Sequence, residues 1–262
     1  YDDDFSKYNI IKEVNNNQDL YNSFSRHTKR NIKQNISMGI TLHKGKKNEI
    51  EEFYKLIKKK APKSISYYYN LINTYNTNNN SVDIFFSKLD PKKFLSNAKK
   101  MYEKEKNRNE KIYKHIAHNN GKMDEKTLNR KIYSDTLLEK RKNILNQAIN
   151  FASNHQEPVI IGTCMTIKNN QEIHFLIDGY NEKYRNIYSN DLLKWQIMKK
   201  YIKQNYKTFN LGEIHKDYKN KDNKYHGQYK YKIGFGGIIA EYPPNLILVI
   251  NKTKYFIYKT FY

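Results

Sequence analysis

PVIIGTCMTIKNNQEIHFLIDGY, residues 158–180, is the stretch that decides the architecture. Two apolar runs, Val159–Ile167 and Glu172–Ile177, flank the polar link Lys168–Gln171. Runs of this length around a short polar link predict a β-hairpin. Just downstream, Ser189 or Asn190 can cap a helix reaching about Gln204, with Leu192, Trp195, Met198 and Ile202 on one face. Trp195 is expected in the core. Thr208–Leu211 follows as a short strand. Strands and helices alternating along one chain give a mixed α/β fold.

Further on, Lys216–Asn223 is a charged loop, Tyr229–Ile233 is a short segment, and Gly234-Phe235-Gly236-Gly237 turns the chain. A phosphate cradle needs a helix N-terminus after its glycines. Here the apolar Ile238–Tyr242 follows and reads as a strand, so the cluster is expected to be a turn that lets backbones approach closely. Pro243-Pro244 breaks that strand, Leu246–Ile250 reads as another, and the end is rich in aromatics.

Upstream, residues 91–119 hold no Gly and no interior Pro. Pro91 suits a first helical turn, and Asn119-Asn120-Gly121 signals a turn. A second helical stretch runs from about Asp124 to Ala152. The pattern predicts an antiparallel hairpin of two long arms, each roughly 40 Å at 1.5 Å per residue. Apolar spacing near 3.5 suggests a coiled coil, with Glu105, Asn109 and Asp135 interrupting the seams. Nearer the start, residues 1–20 are polar and mixed. Ser25 can cap a helix to Met38, and Gly39 can stop it. Arg26, Lys29, Arg30 and Lys33 fall at i, i+3, i+4 and i+7 and share one face. Ile40–His43 and Val82–Ser87 read as strands. Asn48–Lys60 and Tyr67–Tyr75 read as helices, with Pro62 ending the first and Asn76–Asn80 forming a polar loop.

The 262 residues are enough for a real core, and 24 Tyr with 12 Phe argue for a folded chain. The chain holds 48 Lys and Arg against 26 Asp and Glu, a formal net charge of +22. Such a surface attracts nucleic acid, anionic lipid or a polyphosphate substrate. No apolar run approaches the 18–20 or so residues that cross a bilayer. The acidic start carries no secretory signal, and Tyr1 in place of Met suggests a natural start further upstream. The single Cys164, set in an apolar run, is expected to be buried and inert. It allows no internal disulfide, and the scattered His lack metal-ligand spacing, so neither metal nor cofactor is expected. There is no Walker loop and no GxSxG elbow.

HFLIDGYNEKYRNIYSNDLLKW at 174–195, YKTFNLGEI at 206–214 and HGQYKYKIGFGGIIAEY at 226–242 together resemble the FemA/FemB/MurM family of peptidoglycan bridge-forming aminoacyltransferases. Asp178-Gly179 stands where the family has Gly-Gly, followed by Arg185, Trp195 and then Tyr231-Lys232 in place of a Phe-Lys pair. SFSRHTKRNIKQNISMGITL at 23–42 is similar to the family's basic segment before a Gly and a strand, and the hairpin at 91–155 is similar to its inserted coiled coil.

The resemblance implies a GNAT-like (acyl-CoA N-acyltransferase-like) domain formed by 1–90 and 156–245. It implies a coiled-coil insertion at 91–155, and a segment 246–262 that would pack on a first GNAT-like domain not represented in this sequence. It implies transfer of an amino acid from aminoacyl-tRNA to lipid II or UDP-MurNAc-pentapeptide, in the cytoplasm at the inner face of the membrane, with a related Fem-type protein as a further partner. The alternative it leaves is a non-catalytic RNA-binding or partner-binding fragment of that family. By position, Lys232 is the expected catalytic cation. Arg185, Lys230 and Lys63 are expected to bind substrate, Lys63 standing where the family tends to carry Arg. Arg26, Lys29, Arg30 and Lys33 would bind tRNA or phosphate.

Overall fold

The computed structural model describes residues 7–14, 20–75, 77, 80–169, 171–187, 189–242 and 249–261. Among these a seven-stranded sheet runs in the order β2-β3-β4-β5-β6-β1-β7. Its strands are β1 (Tyr8–Glu13), β2 (Ile40–Lys44), β3 (Ser81–Leu89), β4 (Val159–Lys168), β5 (Glu172–Tyr180), β6 (Thr208–Ile214) and β7 (Ile238–Glu241). All neighbours pair antiparallel except β5 with β6, which are parallel.

The middles of the central strands, Ile84–Ser87 of β3 and Ile161–Thr166 of β4, are buried without alternation because both faces are covered. Ile84 and Phe86 face one cluster, with Phe53, Ile57 and Tyr68 from α2 (Ile50–Ile57) and α3 (Ile65–Thr74). Phe85, between them in sequence, points to the opposite cluster. That larger core takes Ile32 and Met38 from α1 (Arg26–Met38), and Leu192, Leu193, Ile197 and Met198 from α6 (Asn190–Ile202). Phe94 joins it from α4 (Pro91–His118), and Phe151 from α5 (Glu125–Asn154).

Several elements form as their sequence signals require. Ser25 accepts the Thr28 amide at 3.2 Å, and Gly39 ends α1 at φ +85°. Asp90 and Asp124 cap α4 and α5 through the amides of Lys93 and Thr127. Phe94 meets Phe151, Met101 meets Arg141, and Asn109 meets Asp135, so the two arms run antiparallel. Two of the polar residues that interrupt the seam, Asn109 and Asp135, pair across it, while Glu105 faces Arg108 of its own helix at 3.9 Å. Asn109 Nδ2 donates to Asp135 Oδ1 at 2.8 Å and to Ser134 Oγ at 3.2 Å. Gly234–Gly237 is a close-approach turn: Ser25 N donates to the Gly234 carbonyl at 2.8 Å, and a Cβ on Gly237 would press on Ile10.

Four expectations are corrected. The polar start contains β1, which enters the sheet between β6 and β7; Ile10 and Ile11 are buried, and so is Lys12, whose Nζ donates to the Gly236 carbonyl at 3.1 Å. The chain before Gly234 forms α7 (His226–Ile233), one more helix between β6 and β7. Most of the expected strand 246–250 lies outside the described residues; Val249 and Ile250 are not in a strand, and the chain continues into α8 (Lys252–Phe261), on which Phe256 is exposed. Finally, the buried face of α6 is wider than expected and shifted: Leu192 and Met198 are buried as expected, but Leu193, Lys194, Ile197 and Tyr201 are too, and Ile202 only borders the core. Trp195 is half-buried, its ring 5.5 Å from Tyr21 and capped by Lys199, while Lys194 takes the inward position.

Candidate active site

The parallel pairing of β5 with β6 is brief. It joins Glu172–His174 to Thr208–Asn210. Beyond His174, β5 stays with β4 as far as Tyr180, and β6 stays with β1 as far as Ile214. The sheet therefore opens between two strands whose backbones no longer satisfy each other, leaving carbonyls for other donors.

Lys232, from the last turn of α7, fills part of this gap. Its Nζ donates to the Glu213 carbonyl at 2.6 Å. Gly212 makes room for it: the backbone there has φ +85°, and the Gly212 amide is tied to Asn210 Oδ1 at 2.8 Å. A Cβ on Gly212 would lie 3.2 Å from Lys232 Nζ and 3.5 Å from the Phe175 carbonyl. Burial, helped by the charge of Lys194 and opposed by Asp178 and Glu213, pulls the Lys232 ammonium down to about 8. His174 is likewise held below its ordinary value, by burial first and then by Lys232.

A second charged group is buried beside it. Lys194 is 4% exposed, and its Nζ lies 2.5 Å from Asp178 Oδ2. Burial is the largest single influence and disfavours the Lys194 ammonium, but the Asp178 charge and hydrogen bond, with Cys164 and Asp191, together outweigh it and the net direction is upward. Asp178 faces the reverse balance, and the Lys194 charge and hydrogen bond hold its carboxyl below the usual range. The Lys194 Nζ also sits 5.1 Å from the Phe175 ring centroid and 5.4 Å from that of Tyr231, the residue before Lys232. Behind the pair, Cys164 is fully buried and its thiol is pushed up to about 12, the inert state expected for it. Gly179 lets α2 approach β5, since a Cβ there would collide with the Leu56 carbonyl.

The other expected residues lie apart from this gap. Lys230 is exposed on α7, and Lys63 is exposed between α2 and α3, its carbonyl accepting from Tyr54. Arg185 is exposed on the short helix Glu182–Ile187 beyond the end of β5. On α1, Arg26, Arg30 and Lys33 are exposed, while Lys29 is half-buried and reaches the Asn22 carbonyl. Asp178 and Lys194 were not expected at the site. The available signal was an acid inside an apolar strand, Asp178, which requires a buried partner.

The FemAB family profile matches residues 5–262. The chain belongs to the FemAB family. Among FemAB relatives, the chain is 19% identical over 242 residues to the lipid II:glycine glycyltransferase of Staphylococcus saprophyticus, covering 90% of this chain and 56% of that one. It is 26% identical over 137 residues to the aminoacyltransferase FemA of Staphylococcus epidermidis, covering 52% of this chain and 33% of that one. The crystal structure of FemX superposes with a TM-score of 0.64 at 17% identity, over 89% of this chain and 59% of that chain, which establishes a shared fold. The chain thus spans about half the length of the glycyltransferase and a third of FemA. No helix among the described residues is long and apolar enough to cross a membrane.

Proposed function

We propose that this FemAB chain carries the acyl-transfer centre of a peptidoglycan bridge-forming aminoacyltransferase, with aminoacyl-tRNA as donor and lipid II or UDP-MurNAc-pentapeptide as acceptor. The observation that carries the reading is a partly desolvated lysine ammonium, Lys232, held by a backbone carbonyl in a gap of the sheet, at the position where the family has its Phe-Lys pair. The sheet is read as GNAT-like, formed by 1–90 and 156–245, with 91–155 as a coiled-coil insertion and 246–262 packing on a further domain of a longer protein. The setting is the cytoplasmic face of the membrane, with a Fem-type relative as a further partner.

The reaction is aminolysis of an ester. The acceptor amine attacks the aminoacyl carbonyl, a tetrahedral oxyanion forms, and the bond to the ribose oxygen breaks. The proton lost by nitrogen balances the one gained by that oxygen. A lysine ammonium has three N–H donors, and the Glu213 carbonyl takes one, so the others can meet the oxyanion. With its midpoint at about 8, Lys232 is mostly ammonium at pH 7, and its partial desolvation strengthens the contact. Arg185, Lys230 and Lys63 are the proposed acceptor contacts. Arg26, Lys29, Arg30 and Lys33, on one face of α1, are the proposed tRNA contacts.

The test is transfer followed by mass spectrometry, using glycyl, alanyl and seryl tRNA pools with each acceptor. A one-residue mass gain that disappears in Lys232→Ala supports the reading. No gain with any pool, or a gain that Lys232→Ala leaves intact, overturns it.

A further inference from the structure

The Asp178–Lys194 pair has features that a packing role does not require. The Lys194 side chain is 5% exposed and that of Asp178 24%, so desolvation, chiefly of Lys194, offsets much of the attraction and the pair contributes little net stability. Lys194 also takes the inward position on α6 next to Leu193, Ile197 and Met198, where an apolar residue would pack without a charge to compensate. Its Nζ is aimed at the one aromatic ring, Tyr231, that adjoins Lys232 in sequence, and at the Phe175 ring on the strand that borders the gap.

We propose that Lys194, fixed by Asp178, is a positioning residue for Lys232: it seats the Tyr231 ring and so aims the Lys232 ammonium at the Glu213 carbonyl and the gap. The proposal deepens the transfer reading and rests on it for its functional meaning, but its geometry can be tested without transfer. Lys194 brings a second fixed positive charge to the same gap. That charge makes the Lys232 ammonium easier to deprotonate and a stronger donor to a developing oxyanion. Asp178 keeps Lys194 charged, so the pair holds a fixed dipole whose buried Lys194 end water screens little.

The groups that face Lys232 and its two neighbours fix the signs. Lys194 on α6 repels its proton, while Asp178 on β5 and Glu213 on β6 attract it. His174 on β5 is held below its ordinary value, so it adds little charge at neutral pH. Cys164 on β4 stays a neutral thiol, and Asp191 on α6 is raised by burial while Asn31 hydrogen-bonds it. Lys60 adds positive charge beside Asp178. Removing Lys194 therefore moves the Lys232 midpoint up, and removing the Asp178 charge moves the first midpoint of the two lysines down. Opening of the site to water would move both variants upward instead.

The experiment is trace acetylation of the folded chain with acetic anhydride from pH 6 to 11, read lysine by lysine through peptide mass spectrometry. Lys232 in the wild type half-titrates near about 8. Lys194→Met is expected to raise that midpoint by about one pH unit or more. Asp178→Asn is expected to lower the first midpoint of the Lys194–Lys232 pair, and Lys194→Arg to leave Lys232 near its wild-type value. Should Lys194→Met alone fail to fold, Asp178→Asn/Lys194→Met removes the orphaned carboxylate, and its Lys232 midpoint must lie above that of Asp178→Asn. Upward movement in both single variants, or no movement in either, would refute the proposal. In transfer, Lys194→Met is expected to lower kcat with little change in KM, and Lys194→Arg to recover most of it. An acetylation pattern as expected without any transfer would leave the positioning intact and count against the aminoacyltransferase reading alone.

Discussion

Replacing Lys232 with Met should make the protein more stable while removing its proposed chemistry. The Lys232 ammonium is held at about 8 in the fold, against the ordinary 10.5, chiefly by burial and the nearby Lys194 charge. That distance corresponds to roughly 3 kcal/mol of native-state cost at neutral pH. The unfolded chain binds this proton up to about pH 10.5, and the folded chain releases it near 8. The cost is therefore complete below about pH 8 and fades as pH rises toward 10.5. Met keeps the length of the side chain without the charge, but leaves the Glu213 carbonyl without its donor, a loss of about 1 kcal/mol. Lys232→Met should then be more stable than the wild type by about 2 kcal/mol at pH 7. That advantage should vanish or reverse by about pH 10. Urea denaturation of both proteins at half-unit steps from pH 6.5 to 10.5 measures the difference and cancels the titrating groups that do not interact with Lys232. Stability curves that run parallel across this range would refute the reasoning, because they would mean that Lys232 titrates alike in the folded and unfolded chain.

Transfer by the wild type should lose activity on an alkaline limb near pH 8 as Lys232 loses its proton, and Lys232→Arg, which stays charged, should move that limb upward in a pH–rate profile. Gly212→Ala should cost about 1–3 kcal/mol through its φ of +85° and displace Lys232 from the Glu213 carbonyl, read as a lower urea midpoint together with a changed Lys232 acetylation rate. Phe85→Ala, at a fully buried ring in the larger core, should cost about 3–5 kcal/mol by the same urea measurement. Reversing charge at Arg26, Arg30 and Lys33 should weaken tRNA binding and flatten its salt dependence; an unchanged slope in filter binding across 50–200 mM salt would place the tRNA elsewhere.

Local signals carried much of the fold. The Ser25 cap, the Gly39 stop, Pro91 at the first turn of α4 and the Asn120-Gly121 reversal act within a few residues of where they stand, so each could be placed from sequence. The seam polar residues Asn109 and Asp135 were visible as interruptions, though only the antiparallel register shows that they satisfy each other. YNIIKE of β1 shows too few apolar residues to stand out beside the acidic start; its strand character comes from β6 and β7 on either side. α7 carries no cap or long period that would mark it as a helix in the sequence.

At the site the division is sharper. Lys232 stands out in the sequence through the order of its motifs, as Tyr231-Lys232 before a glycine turn. Its chemistry does not, because the fall of its ammonium to about 8 depends on neighbours from β5, β6 and α6 that the sequence holds far apart. Sequence by itself determined strands β2 to β7 and helices α1 to α6, the long hairpin and the basic face of α1, which follow from spacing and short-range sterics, while Lys232 was singled out by resemblance. The parting of β5 from β6, the inward turn of Lys194 and its pairing with Asp178 were decided only by the tertiary structure. Desolvation and charge coupling depend on distance in space, and a sequence records only distance along the chain.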